Sequence, residues 1–272
     1  MNRLLHKFFD FYLIGSIHVA FAVFAFVQIT AEEFQLQIDK NISWFAFFGT
    51  IVGYNFIKYD ELARVKKVVW HTQMKWVVLL SFISAILCGY YFFQLNRLTQ
   101  VTAIGALLLT GFYTLPIVPK RTNFRNWSGV KIYLVALSWT VVTVLLPFLY
   151  SETDLNSSVW LYCIQRFLIV FVLMLIFEIV DLSKDALSLQ TIPQQIGVKR
   201  TKWLGYVLLV ICVYIYPYYG WRTVGFFFAL FLISLFLFFA TPSRSKYYTS
   251  FWVEAIPIVW WVFNLSWIRN YF

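Results

Sequence analysis

Long uninterrupted apolar runs alternate with short polar breaks along the whole chain. Residues 223–240 read TVGFFFALFLISLFLFFA without one charge, and residues 159–180 carry only Arg166 and Glu178. Runs of about 20 apolar residues suffice to cross a ~30 Å hydrocarbon core. They are continuous, with none of the period-two alternation of a membrane β-barrel. The pattern predicts nine helical spans, at 8–30, 42–57, 75–93, 98–119, 131–150, 159–180, 203–219, 223–240 and 250–268. The expected fold class is an all-α membrane protein with nine transmembrane helices, residues 1–272 forming a single integral membrane domain.

The polar breaks sort by charge. Seventeen of the 22 basic residues fall at the N-terminus (Arg3, Lys7) and in the even-numbered loops, and Arg166 sits within a span. Only Lys40, Arg97, Arg222 and Arg269 mark the opposite side, where Glu32, Glu33, Asp39, Glu152 and Asp154 also lie. By the positive-inside rule the N-terminus and the even loops face the cytoplasm, and the C-terminus lies across the membrane. The expected location is a bacterial-type cytoplasmic membrane.

Composition agrees with this reading. Only 12% of residues are charged and 61% are hydrophobic, against about a quarter charged in soluble domains. The net charge of +10 is then a product of topology and does not point to nucleic acid; a basic face also attracts anionic headgroups. The opening MNRLLHKFF is basic, but the apolar run behind it outlasts a signal peptide and has no small-residue cleavage site. Cys88, Cys163 and Cys212 sit inside apolar runs without ligand spacing and read as buried hydrophobes. The 22% aromatic content fits a lined cavity and a lipid-facing surface equally well.

Candidate chemistry gathers where the sixth span ends, in FEIVDLSKDALSLQTIPQQIG. Glu178, Asp181 and Asp185 stand at i, i+3 and i+7, one side of a helix if the helix continues to Asp185. Three carboxylates at a membrane boundary need cations, protons, metal or a solvated cavity. Carboxylate oxygens in this number suit Mg²⁺, which takes one or two carboxylates together with waters and substrate phosphates. The plain alternative is a solvated helix end whose acids pair with Lys184 and Lys199. Thr191, Pro193 and Gly197 predict a turn before the seventh span. His18 and His71 have no metal-ligand spacing and read as structural. Arg166 and Glu254 are the ionisable residues left within spans and are candidates for a buried pair.

This stretch resembles the second aspartate motif of the UbiA-type intramembrane prenyltransferases, D-x-x-D-x-x-x-D followed by threonine-proline and glycine. Glu178, Asp181, Asp185, Thr191, Pro193 and Gly197 carry the match, with glutamate at the first position. The segment GFYTLPIVPKRTNFRNW is similar to that family's tyrosine-containing fourth span and basic loop. The resemblance implies a UbiA-like bundle around a cytoplasm-facing cavity walled by the ends of spans two, four and six. It implies a transferase that moves an isoprenyl group from its diphosphate to a lipophilic, aromatic or other, acceptor. It further implies Mg²⁺ on Glu178, Asp181 and Asp185, with Asp181, Asp185 and Lys58 in the catalytic set. Asn55, Arg64, Tyr113, Lys120 and Arg121 would contact substrate. The first aspartate motif departs from the family pattern: in GYNFIKYDELARVKK only Asn55 matches, and Phe56, Tyr59 and Ala63 occupy the aspartate positions. Two readings follow. Either prenyl transfer proceeds with fewer metals, Lys and Arg replacing part of the Mg²⁺, or the chain is a catalytically silent relative. Such a relative would bind an isoprenoid or other lipid, or serve as a subunit of a membrane complex.

Overall fold

Each apolar stretch becomes a helix, and the departures from regular helix carry the architecture. The computed structural model describes residues 3–65, 72–114, 129–185, 189–218 and 224–271. Its helices are α1 Arg3–Ile14, α2 Ile17–Glu33, α3 Lys40–Val65, α4 Thr72–Phe92, α5 Arg97–Thr114, α6 Val130–Thr140, α7 Leu146–Tyr150, α8 Ser157–Asp181, α9 Ile192–Ile196, α10 Val198–Ile215, α11 Val224–Phe239 and α12 Ile256–Tyr271. No strand occurs among the described residues. Three helical stretches are long and apolar enough to cross a membrane, Met74–Phe92, Val130–Tyr150 and Ser157–Asp181. The pair Leu5–Ile14 and Ile17–Glu33, bent by 57°, makes a fourth. The helices at the other five expected positions are shorter or more polar, so length and composition alone do not establish nine spans.

Successive helices pack side by side, and α12 returns to α2, which closes the bundle. α8 is deeply enclosed, with Ile169, Val172, Leu175, Ile176 and Ile179 buried against α6, α10 and α11. The outside of the bundle is apolar. Phe82 on α4 is 64% exposed and Leu107 on α5 is 66% exposed, a surface that hydrocarbon covers and water would not. Small residues set the closest approaches: a Cβ on Gly205 would meet Leu237 across α10 and α11, and one on Gly225 would fall on Asn264 across α11 and α12.

Pro147 shows how sequence becomes packing. It has no N–H for the Thr143 carbonyl four residues earlier, and the chain passes through a π-helical turn at Val141–Leu145. The Thr143 carbonyl accepts from Thr30 Oγ1 on α2 at 2.7 Å. Thr30 in turn accepts from Arg166 Nη2 at 3.3 Å, while Arg166 Nη1 donates to the Phe26 carbonyl at 3.3 Å and Nη2 to Tyr162 Oη. The guanidinium carbon lies 4.0 Å from the centroid of the Phe26 ring. A buried arginine thus finds its partners on α2 and its own helix, and holds α2, α8 and the π-turn together. The expected pairing of Arg166 with Glu254 does not form. Arg166 binds the C-terminal half of α2, whereas Glu254 follows the π-helical turn Tyr248–Val253 that packs at the N-terminal end of α2.

Thr30→Val keeps the side-chain shape but removes the bond to the Thr143 carbonyl and an Arg166 contact. Buried unmet groups cost about 1–3 kcal/mol each. The substitution is expected to lower the unfolding free energy by about 2–4 kcal/mol, read as a fall in melting temperature of the detergent-solubilised chain. An unchanged melt would remove Thr30 from this role.

Candidate functional site

The three acids of the α8 exit have different surroundings. α8 ends at Asp181, whose carbonyl accepts from both the Lys184 and Asp185 amides, at 2.8 and 2.9 Å. The helix therefore tightens for one turn instead of running on regularly to Asp185. Glu178 is 4% exposed, and its Oε2 accepts from the Ile192 amide at 3.0 Å, where α9 begins. Asp181 is half-buried and pairs with Lys184 Nζ at 3.2 Å. Asp185 and Lys131, on the first turn of α6, both act electrostatically on Glu178. Gln194 caps the Thr191 amide at 2.9 Å and reaches the Asp185 carbonyl at 3.4 Å, so the segment after the acids folds back over them. The expected turn at Thr191, Pro193 and Gly197 is thus a single turn of helix, α9. It ends at Gly197, where a φ of 81° favours glycine.

No group of three or more His, Cys, Asp or Glu among the described residues is placed to hold a metal ion. The donor chemistry still fits Mg²⁺, since carboxylates at a basic helix exit complete its shell with waters and phosphates. Glu178 already serves a backbone amide, and Asp181 is engaged by Lys184.

Asn55 is an interior clamp. It is 3% exposed, and its amide donates to the Gly15 carbonyl at 3.2 Å and to Ser81 Oγ at 2.9 Å. Its carbonyl accepts from Ser16 Oγ at 2.8 Å. These bonds fix the break between α1 and α2, where Ser16 has φ 61° and a Cβ on Gly15 would press on Leu80 and the Phe11 carbonyl. A substrate contact by Asn55 would require one of them to open.

Lys58 and Tyr59, one turn on, both turn to the Ile14 carbonyl freed by that break, at 3.5 and 3.1 Å. The carboxylate that acts on Lys58 is Glu254, and no ion pair joins Lys58 to Asp181. Phe56, at another of the first-motif aspartate positions, is 45% exposed. Lys120 and Arg121 lie outside the described residues, and so do the side chains of Arg64, Tyr113, Asp60 and Glu61.

A second polar group lies across from this break. His18 on α2 is buried, its Nε2 lies 2.8 Å from the Phe251 carbonyl in the π-turn, and its Nδ1 lies 2.8 Å from Tyr12 Oη on α1. The imidazole stacks on the Phe251 ring with centroids 5.0 Å apart. α1 is held to the same turn by the Phe9–Phe251 ring contact at 5.1 Å and by Tyr247 Oη donating to Asp10 at 2.7 Å. The structure brings Lys58, Tyr12, His18 and Glu254 to the α8-exit end of the bundle, because Arg166 fixes the N-terminal half of α8 at the far end of α2.

Known structures resemble this arrangement of helices. A UbiA homologue from Aeropyrum pernix K1 superposes with a TM-score of 0.70 at 14% identity, over 93% of this chain and 98% of that one. A UbiA homologue from Archaeoglobus fulgidus bound to GPP and Mg²⁺ gives 0.62 at 12% identity, over 96% and 99%. A digeranylgeranylglyceryl phosphate synthase structure gives 0.53 at 14%, over 95% and 98%. The chain has the UbiA fold. No family model matches it, and no curated protein matches it by sequence. The likeness of UbiA-fold architecture thus spans nearly the whole chain at identities that speak for shape alone.

Against this fold, reading the residues missed Lys131, Tyr12 and the placement of Glu254. Lys131 was legible only as one of four bases in a loop. Glu254 was legible as an isolated acid in the last apolar run, but its neighbours come from α1 and α3, far away in sequence.

Replacing Asn55 with Ala is expected to lower stability by about 2–4 kcal/mol in the absence of any substrate, since three buried hydrogen bonds are lost. Thermal unfolding of the ligand-free protein measures it. Wild-type stability together with weakened prenyl diphosphate binding would return Asn55 to a substrate-contacting role.

Proposed function

We propose that this chain is a membrane prenyltransferase. It moves an isoprenyl group from its diphosphate to a lipophilic acceptor at the end of the bundle where α8 exits. The observation that carries the reading is the Glu178–Asp181–Asp185 series on a UbiA fold, with Lys131 and Lys184 beside it. The Archaeoglobus fulgidus homologues bound to GPP or DMAPP with Mg²⁺ support a diphosphate and metal for this architecture. In this chain Asp181 and Asp185 would hold Mg²⁺, and Glu178 would fix the α9 segment that closes over them. The ion would supply positive charge to the departing diphosphate. Lys184 and Lys131 add charge of the same sign, and Arg64, Lys120 and Arg121 belong to the same face by sequence. Lysine and arginine are competent phosphate partners. Tyr113 would line the cavity beneath.

We further infer that the shorter helices complete nine spans of one domain in a bacterial-type cytoplasmic membrane. The N-terminus and the acidic exit would face the cytoplasm, as the distribution of basic residues requires.

One observation favours the alternative of a silent isoprenoid-binding or complex-forming protein. Phe56 and Tyr59 stand at first-motif positions, and no three-acid metal group forms among the described residues. Asp181→Asn separates the readings. Turnover of a prenyl diphosphate is expected to fall at least about a hundredfold, the scale for losing one key electrostatic group, while the protein stays folded. GPP is expected to raise the melting temperature only when Mg²⁺ is present. A shift that ignores Mg²⁺, with no turnover by the wild-type chain, would sink the transferase reading and leave lipid or diphosphate binding.

A further inference from the structure

The last turn of α11 is finished by side chains from two other segments. Its final four carbonyls are all met. Phe236 accepts from Tyr248 Oη at 2.6 Å and Leu237 from the Ala240 amide at 3.4 Å. Phe238 accepts from Lys202 Nζ at 2.6 Å and Phe239 from Arg244 Nε at 2.9 Å. Helix ends need such partners, and cations suit the negative end of the helix dipole. Lys202 reaches across from the start of α10, and Arg244 comes from the turn that follows α11.

Capping consumes one N–H of each cation. An ammonium has three donors and a guanidinium five, so two remain on Lys202 and four on Arg244, and no described residue accepts from them. The carbonyls that hold the two cations are consecutive in one helical turn, and Arg244 acts electrostatically on Lys202. The guanidinium carbon lies 5.1 Å from the centroid of the Tyr248 ring, which supports its fork at the surface. The Arg244 amide donates to the Thr241 carbonyl at 3.1 Å, so the turn that carries it is itself bonded. Lys199 stands three residues before Lys202, on the same side of α10. Acids at this end are engaged elsewhere, Asp10 by Tyr247 and Asp181 by Lys184. Two neighbouring cations with donors to spare and no acid between them suit an anion.

The surface beside the cations selects the kind of anion. Trp203, next to Lys202, is 64% exposed, and Phe238, whose carbonyl holds Lys202, is 63% exposed. Farther along, Val207 on α10 and Phe231 on α11 are exposed as well. The two helices run antiparallel in contact, with Tyr206 Oη 3.5 Å from the Ser234 carbonyl and Gly205 against Leu237. The apolar side chains therefore lead away from the cations along both helices, and a tryptophan marks the border, where that residue favours a membrane interface. A free phosphate would leave this strip bare, whereas acyl chains cover it. A zwitterionic choline head would set its own positive charge against Lys202 and Arg244.

We infer that Lys202 and Arg244, with Lys199 beside them, bind the phosphate of an anionic phospholipid whose chains lie along the exposed strip of α10 and α11. The phosphodiester oxygens accept the spare N–H groups of both cations, and the guanidinium offers two of its donors to one phosphate at once. The bound head would join α10 to the turn after α11, so the lipid acts as a brace for that corner of the bundle. The site takes no part in the proposed transfer and does not depend on it.

The test titrates dioleoylphosphatidylglycerol, dioleoylphosphatidylcholine and inorganic phosphate into the full chain in neutral detergent, with bound lipid read by native mass spectrometry. Phosphatidylglycerol is expected to bind about tenfold tighter than phosphatidylcholine, the scale of one hydrogen bond to a charged group. Lys202→Gln and Arg244→Gln should each remove most of that preference. Lys75→Gln, the same loss of charge on α4, should leave it intact. Equal binding of the two lipids by the wild-type chain overturns the inference, as does a full preference in both glutamine variants. An equal loss in Lys75→Gln also overturns it, because the preference would then follow net charge alone. Inorganic phosphate that displaces phosphatidylglycerol at equal concentration overturns the assignment to a lipid. Lys202 and Arg244 also cap α11; should their variants fail to fold, Lys199→Gln, which caps nothing, is expected to weaken the preference about threefold, and an unchanged preference there decides against the site.

Discussion

Hydrocarbon offers no water to complete an unmade hydrogen bond, and three irregularities in this bundle obey that constraint. Pro147 strips the Thr143 carbonyl of its partner, and Thr30 supplies one. The Gly15–Ser16 break frees carbonyls at Ile14 and Gly15, and Tyr59, Lys58 and Asn55 take them. The π-turn offers the Phe251 carbonyl, and His18 takes it. Two of these repairs are made by α2, whose Thr30 and His18 lie twelve residues apart and reach different neighbours. A helix placed this way is positioned by polar bonds as well as by packing, which matters where packing has no hydrophobic drive behind it.

The repairs divide the molecule into two unlike ends. At the α8 N-terminal end the Arg166 guanidinium is enclosed by Phe26, Tyr162 and Trp260 and bonded to α2, and Trp261 Nε1 donates to Glu32 at 2.8 Å. That end is a lock. The opposite end gathers Asp181, Asp185, Lys184 and Lys131 on one side and Lys58, Tyr12 and Glu254 on another, with several of these groups accessible. Rigid support below and reachable polar groups above is how a bundle positions chemistry on stable elements.

The helical, membrane-embedded nature of the chain was legible because it depends on composition and run length, which are local. So was the acidic exit of α8, since Glu178, Asp181 and Asp185 lie within eight residues. What stayed illegible depends on pairs distant in sequence. Arg166 and Glu254 looked like partners because both are charged within apolar runs, yet nothing local says that one is enclosed by Phe26 and the other follows the π-turn beside His18. Asn55 matched a motif position, but its partners Gly15, Ser16 and Ser81 come from two other helices, and they make it a clamp. The break in α1–α2 was hidden inside a single apolar run, because Gly15–Ser16 is too short an interruption to lower its hydropathy.

The positions at which α3 departs from the UbiA-type aspartate pattern acquire a physical meaning from these contacts. Tyr59 occupies an aspartate position and donates its hydroxyl to the Ile14 carbonyl; an aspartate there could only accept, and would leave that carbonyl to Lys58 alone. Placing a carboxylate there would therefore loosen the α1–α2 break while adding a negative charge beside Lys58. The missing acid and the broken helix are then two sides of one arrangement. The Tyr59 hydrogen bond to the Ile14 carbonyl joins α3 to the end of α1, which carries Tyr12 to His18. With tyrosine at this position α3 adds no carboxylate beside Lys58, whose ammonium keeps its contact with the Ile14 carbonyl.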